Sequence, residues 1–518
     1  MKRPRSAVDP DIKMESIEGR ELPDAGPSRS KPGKQKKAAK KPSKLHRLTA
    51  TEVRELIRSD KVTVEEYAWA LIERFEERDD DVHAWVHYDT DLIIAEARRL
   101  DDVPAAKRGQ LHGVAVGIKD IFLTKGTVLD VWSKPGFALQ ANHAQDMPTR
   151  YYSPIHKNDG NAAADSAAVA ILRAAGALIL GKTATTEFAA TTEGTQCCNP
   201  RDYHYSPGGS SSGSAAAVSD WQVPIAIGTQ TGGSIVRPGS YNGTYAFKPT
   251  WGLISTDGVG RFSVSLDTAG FFARSVDDLD LLAKLFRLDF DYTRPRKRFI
   301  IKGANIALVK THAWDHAGPG TQAAWNQARS LLAKAGAVLE DVELPESFRK
   351  CHDWREIVAA GEARSAFLST QWRCYVRQQQ KWLANRAIEE YMQSTQKLHP
   401  SLKASVQNKN NPTRKEMLEA YDGVAQLRPQ WDQIASKYDA IITPSSVDQA
   451  PQGLEDTGSA VFNVMWTILH APSLNVPGFF GYHNLPIGLT VVGGRFSDME
   501  VLRVGKVIGA LFNGGKVD

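Results

Sequence analysis

Three short stretches of this sequence hold residues able to do covalent chemistry. LHGVAVGIKDIF (Leu111–Phe122) ends an apolar run with a charge, Lys119. SPGGSSSGSAAAV (Ser206–Val218) is a Gly/Ser loop running into an alanine-rich helical pattern, with Ser210 and Ser211 in the loop. GTQTGGSIVRPGSYNG (Gly228–Gly243) sets Thr231, Gly232 and Gly233 directly before Ser234. Two glycines let a backbone turn tightly and present consecutive N–H groups. Such a nest can hold an oxyanion while the serine hydroxyl sits beside it.

A serine hydroxyl is a weak nucleophile and needs a base. His112, His204 and His483 lie nearest these loops, and none stands in a recognisable triad setting. Lysine is the other choice, because an ammonium held in an apolar site has a lowered pKa and can act as a base. Taken singly, the turn reads equally well as structural, and Lys119 as a lysine snorkelling at a strand edge. Gly209–Gly213 also spells G-x-S-x-G around Ser211, but a nucleophile elbow follows a strand, and NPRDYHYSP before it is turn-rich. GALILGKT (Gly176–Thr183) spells a phosphate loop, yet its order is inverted: a helix precedes it, and the variable positions are apolar. It reads as a buried strand.

The surrounding elements alternate. LTATEVRELIRSD and VTVEEYAWALIERFEER read as amphipathic helices, the first capped by Thr49. Leu111–Phe122 reads as a strand, Ala162–Gly176 as a helix, ALILGKT as a strand. ANIALVK (Ala304–Lys310), YDAIITP (Tyr438–Pro444) and LPIGLTVVGG (Leu485–Gly494) read as further strands, and Glu500–Phe512 as a closing helix. Helices alternating with buried strands imply an α/β fold, layered α/β/α. The 518 residues are 42% hydrophobic, enough for a sizeable core, with no run long and apolar enough for a membrane helix. The net charge of +5 is uneven. Residues 1–47 carry 14 Lys and Arg against 6 Asp and Glu, or +8, leaving −3 for the rest. Residues 1–46 therefore read as a disordered basic tail, and residues 47–515 as the globular domain. Four cysteines, two of them adjacent, fit a reducing compartment, cytoplasmic or, through the tail, nuclear. No His/Cys cluster suggests a metal.

Together the three stretches resemble the amidase signature family. Lys119 matches the lysine of its G-I-K-D strand, Ser210 the first serine of its G-G-S-S loop, and Ser234 the nucleophile of its T-G-G-S turn. Ser210 and Ser234 stand 24 residues apart, as in family members. FKPTWGLIS and LPIGLTVVGG extend the likeness over nearly all of residues 48–515. The resemblance implies one α/β/α domain around a large, twisted, mixed sheet, and hydrolysis of a small-molecule amide. Ser234 would attack, Ser210, after a cis peptide bond, would relay the proton to Lys119, and Ser211 would help hold the lysine. The N–H groups of Thr231, Gly232, Gly233 and Ser234 would form the oxyanion hole. No metal or organic cofactor is implied, and nucleic acid contact would be confined to the tail. The same fold also serves within amidotransferases, or as an inactive binding protein. Four features depart from the common pattern. Gln230 replaces an Asp, Ser212 replaces a glycine, and Arg237 comes one residue late, so a Gln230-based hydrogen bond is expected behind the turn. Thr127–Asp146 is extra chain just beyond Lys119, placed to displace that lysine.

Overall fold

The computed structural model describes residues 44–125, 147–157, 162–289, 298–363, 398–406 and 412–514. Thr127–Asp146 and the tail as far as residue 43 lie outside them. A 3-10 turn, Lys44–Arg47, opens the described chain inside the span read as tail, and Leu45 packs on the helical layer. Thr49 and Thr63 each cap a helix through a reciprocal box, with Glu52 and Glu66 three residues on. Those helices are Ala50–Arg58 and Val64–Val82.

Eleven strands form one mixed sheet. They are β1 (Trp85–His87), β2 (Ala115–Lys119), β3 (Leu178–Thr183), β4 (Ile225–Gln230), β5 (Tyr245–Lys248), β6 (Thr268–Ala273), β7 (Asn305–Leu308), β8 (Val338–Asp341), β9 (Ala440–Pro444), β10 (Ser473–Phe480) and β11 (Pro486–Val492). Their order is β1-β3-β2-β4-β6-β5-β10-β11-β9-β7-β8. β2 runs parallel to both β3 and β4, whereas β6, β5, β10 and β11 pair antiparallel in series. Every residue of β2, β3, β4 and β6 is buried, as expected of strands covered on both faces.

Alternation along the strands assigns the two faces. Val116, Ile118, Ile225, Ile227, Ile306, Leu308 and Ile442 share one core with helices Ala167–Ala174, Val276–Leu285, Pro319–Lys334 and Asp498–Phe512. Their neighbours point the other way into two cores. Ala115, Leu178 and Ala226 meet the N-terminal helices and Ser212–Ser219, while Ala307, Ile441 and Val492 meet residues 351–363 and helix Arg414–Ala435.

Two elements are shorter than their sequence pattern. Of Leu111–Phe122 only Ala115–Lys119 is strand. Gly113 takes φ +73° before it, and the N–H groups of Ile121 and Phe122 turn back onto the Lys119 carbonyl after it. The helix read over Ala162–Gly176 spans Ala167–Ala174, because Ala162 bridges Lys125 and Ser166 N–H bonds the Leu123 carbonyl.

Candidate active site

Lys119 is the last residue of β2, and Gln230 the last of the parallel β4, so both chains leave the sheet at the same end. Ser210 and Ser211 immediately precede helix Ser212–Ser219, which packs against both strands. Gly228 lies one step past the Ile118–Ile227 pair, and a Cβ there would stand 2.7 Å from Ser211 Oγ. Only glycine lets the serine loop settle so close to the strand.

Lys119 is completely buried. Its Nζ lies 2.7 Å from Ser210 Oγ, 3.0 Å from Ser211 Oγ and 3.0 Å from Thr229 Oγ1. Among the described residues no carboxylate touches it. Burial pushes its pKa well below the ordinary lysine value, opposed only by the charge of Asp267. The Gly209–Ser210 peptide bond is cis. Lys119 thus has three hydroxyl partners; the Thr127–Asp146 stretch expected to displace it lies outside the described residues.

The turn after β4 is fixed from behind. Gln230 Oε1 accepts the N–H groups of Ile235 and Val236 at 2.9 and 3.0 Å, and its Nε2 donates to Thr467 Oγ1 at 3.0 Å. Thr467 in turn donates to the Gly232 carbonyl at 2.7 Å. The Gln230-based support expected from the sequence is thus present. Arg237 does other work: it donates to the carbonyls of Gly209, at 2.6 Å, and Gly458, locking the serine loop. Among the described residues, the N–H groups of Thr231, Gly232, Gly233 and Ser234 have no protein acceptor. Ser234 is half-buried, and its hydroxyl has no hydrogen-bond partner among them either. Lys119, Ser210 and Ser211 are therefore joined directly, while Ser234 stands in the neighbouring turn without a bond to them.

The alternatives left open by the sequence fall elsewhere. His204 pairs with Asp202 in solvent, and the ring of His483 packs against Tyr205. His112 is buried beside Gly176. GALILGKT is β3 with its preceding turn. Lys182 is fully buried and donates to the Phe122 carbonyl at 2.7 Å, Thr149 Oγ1 at 2.6 Å and Thr124 Oγ1 at 3.3 Å. All three of its protons meet protein oxygens, leaving none for a phosphate.

A family model named Amidase matches residues 141–502. The chain belongs to the amidase signature family. A glutamyl-tRNA(Gln) amidotransferase subunit from Salinispora tropica is 30% identical over 499 residues, covering 89% of this chain and 96% of that protein. Among solved structures, the peptide amidase of Stenotrophomonas maltophilia superposes with a TM-score of 0.70 at 25% identity, covering 90% of this chain and 97% of its own. The corresponding glutamyl-tRNA(Gln) amidotransferase subunit from Thermotoga maritima superposes with a TM-score of 0.65 at 26% identity, covering 90% and 95%. The large mixed α/β sheet is thus that of amidase signature proteins, which act on carbon–nitrogen bonds. Among the described residues, no helix is long and apolar enough to cross a membrane, and no group of three His, Cys, Asp or Glu residues could hold a metal.

The sequence reading missed Thr229, Asp267, Thr467 and Arg355, whose guanidinium donates to the Thr231 carbonyl at 3.3 Å. Thr229 was findable, since it lies in the strand leading to the turn. The other three are brought in from distant segments, and no local pattern marks them.

Proposed function

We propose that this family member is an amidase that cleaves carboxylic amides through an acyl-enzyme on Ser234. The observation that carries the reading is the buried Lys119 amine, 2.7 Å from the Ser210 hydroxyl and free of any carboxylate partner among the described residues. A neutral amine has two protons and one lone pair. Ser211 spends its own proton on the Thr229 carbonyl at 3.2 Å, so it accepts one from Nζ. With Thr229 Oγ1 taking the second Nζ proton at 3.0 Å, the Ser210 hydroxyl, the closest of the three, donates its proton into the lone pair. Its oxygen is then open to take a proton from Ser234.

The reaction follows from this polarity. Ser234 Oγ attacks the amide carbon as its proton passes to Ser210 and the Ser210 proton passes to Lys119. The carbonyl oxygen gains charge beside the N–H groups of Thr231 to Ser234, which have no competing acceptor. Collapse breaks the C–N bond, and the departing amine takes a proton back through Ser210. Water, deprotonated by the same relay, then cleaves the ester and releases the acid.

Relatives named as amidotransferase subunits support the same acyl chemistry with a partner supplying the acceptor. The two readings separate in an assay of the purified chain against a panel of small acyl amides. We expect ammonia or amine release by the chain alone, abolished in Ser234→Ala. Release only when a second protein is added would overturn the self-contained reading.

A further inference from the structure

Thr231, which opens the proposed oxyanion turn, is gripped from two sides. Its hydroxyl donates to Asp267 Oδ1 at 2.5 Å. Its carbonyl accepts from Nε and Nη2 of Arg355, both at 3.3 Å. The second oxygen of Asp267 takes the N–H groups of Phe262 and Ser263 at 2.8 and 3.0 Å, tying the turn to the loop before β6. Arg355 comes from residues 351–363, a helix. The same helix sends Glu362 to the Ser263 hydroxyl at 2.6 Å and the Ser265 N–H at 2.9 Å. Glycine at 232 admits the guanidinium, since a Cβ there would lie 2.9 Å from Arg355 Nη2.

We propose that Arg355 and Asp267 are positioning residues for amide cleavage, Arg355 acting through the Thr231–Gly232 peptide and Asp267 through the Thr231 side chain; this rests on the reading that the turn receives the oxyanion. The Thr231 carbonyl and the Gly232 N–H belong to one peptide unit. A cation drawing charge onto the carbonyl oxygen polarises that unit and strengthens its N–H as a donor. The forked contact also fixes the plane of the peptide, so the donor stays aimed while the oxyanion forms.

Asp267 has a second effect, on the base. It lines the same small cavity as Thr229, whose hydroxyl touches Lys119 Nζ. The charged groups bearing on it are Lys119 and Glu362, with Arg355 across Thr231. Burial, with Glu362 adding to it, raises the Asp267 pKa to about 6, so above that pH it is an anion. That anion favours the protonated form of Lys119 and limits how far burial depresses its pKa.

The test uses the full chain with Arg355→Ala, Arg355→Lys and Asp267→Asn, and labelling of wild-type Ser234 by a fluorophosphonate as the reference. Arg355→Ala should lower kcat for amide cleavage roughly 10- to 100-fold with KM little changed, as for loss of part of an oxyanion hole. Arg355→Lys, which keeps the charge but not the fork, should recover part of that loss and guards against misfolding of the alanine variant. Asp267→Asn should shift the acid limb of kcat/KM to lower pH, a change that a merely structural role would not produce. Labelled wild type with kcat unchanged in both Arg355 variants, or with an unmoved limb in Asp267→Asn, would overturn the proposal alone. An unlabelled wild type would overturn it together with the amidase reading.

Discussion

Among the described residues three lysines, Lys119, Lys182 and Lys248, are fully buried, and their surroundings decide what each can do. Burial lowers all three pKa values, to about 8 for Lys182 and about 7 for Lys248. A depressed pKa therefore does not by itself mark a base. Lys182 lies 3.5 Å from Asp120 Oδ1 and donates to a carbonyl and two hydroxyls, bracing the chain on either side of the extra stretch. Lys248 bonds the Pro249 carbonyl. Lys119 alone of the three meets only hydroxyls, a set through which a proton can move. Because the neutral amine is the working form, kcat/KM should rise with pH through the lowered Lys119 pKa and level off above it. A profile controlled instead by a histidine, or activity retained in Lys119→Arg, which cannot deprotonate, would contradict this. Lys182→Met should cost about 3–5 kcal/mol in denaturant unfolding, because the buried Asp120 carboxyl would keep only the Arg150 and Tyr152 N–H groups as partners. ATP should raise the melting temperature of neither wild type nor variant.

At the scale of elements, the site is a product of strand ends and what is packed on them. Lys119 and the Gly232–Gly233–Ser234 turn were legible because each follows a short apolar run, and the serine loop because Gly and Ser gather before a helix. Legibility stopped where contacts cross the chain. Thr467 lies 235 positions beyond the Gly232 carbonyl that it holds, and Arg355 sits 124 beyond Thr231. β1, β4, β5, β6, β8 and β10 also went unread; YAFK and TAGFFA, for example, are short and buried on both faces, so no alternation marks them. Thr467→Val keeps the shape but removes the hydroxyl and its three hydrogen bonds, leaving the Gly232 carbonyl and the Gln230 amide wanting partners. The variant should lose about 1–3 kcal/mol of stability, read by chemical denaturation, and a share of kcat. Unchanged unfolding and turnover would show that the turn is held by other means. Gly228→Ala should be worse for activity, since its Cβ would press on Ser211 at 2.7 Å; normal turnover in that variant would show that the serine loop can shift freely.

The described residues are built on one eleven-stranded sheet whose one face carries a continuous core and whose other face carries two. The α/β class was readable from helices alternating with buried strands, and the family from three motifs in order. Strand order was not, since β10 and β11 come last in the sequence yet sit between β5 and β9. This arrangement lets one chain bring Lys119, Ser210, Thr229 and Ser234 to one end of the sheet. Ser234, served by Lys119 through Ser210, is the proposed nucleophile. Treating the folded chain with a fluorophosphonate and mapping the modified peptide by mass spectrometry tests it most directly. The adduct should sit on Ser234, vanish in Ser234→Ala and form more slowly in Lys119→Ala; an adduct on Ser211, or none on folded protein, would contradict it.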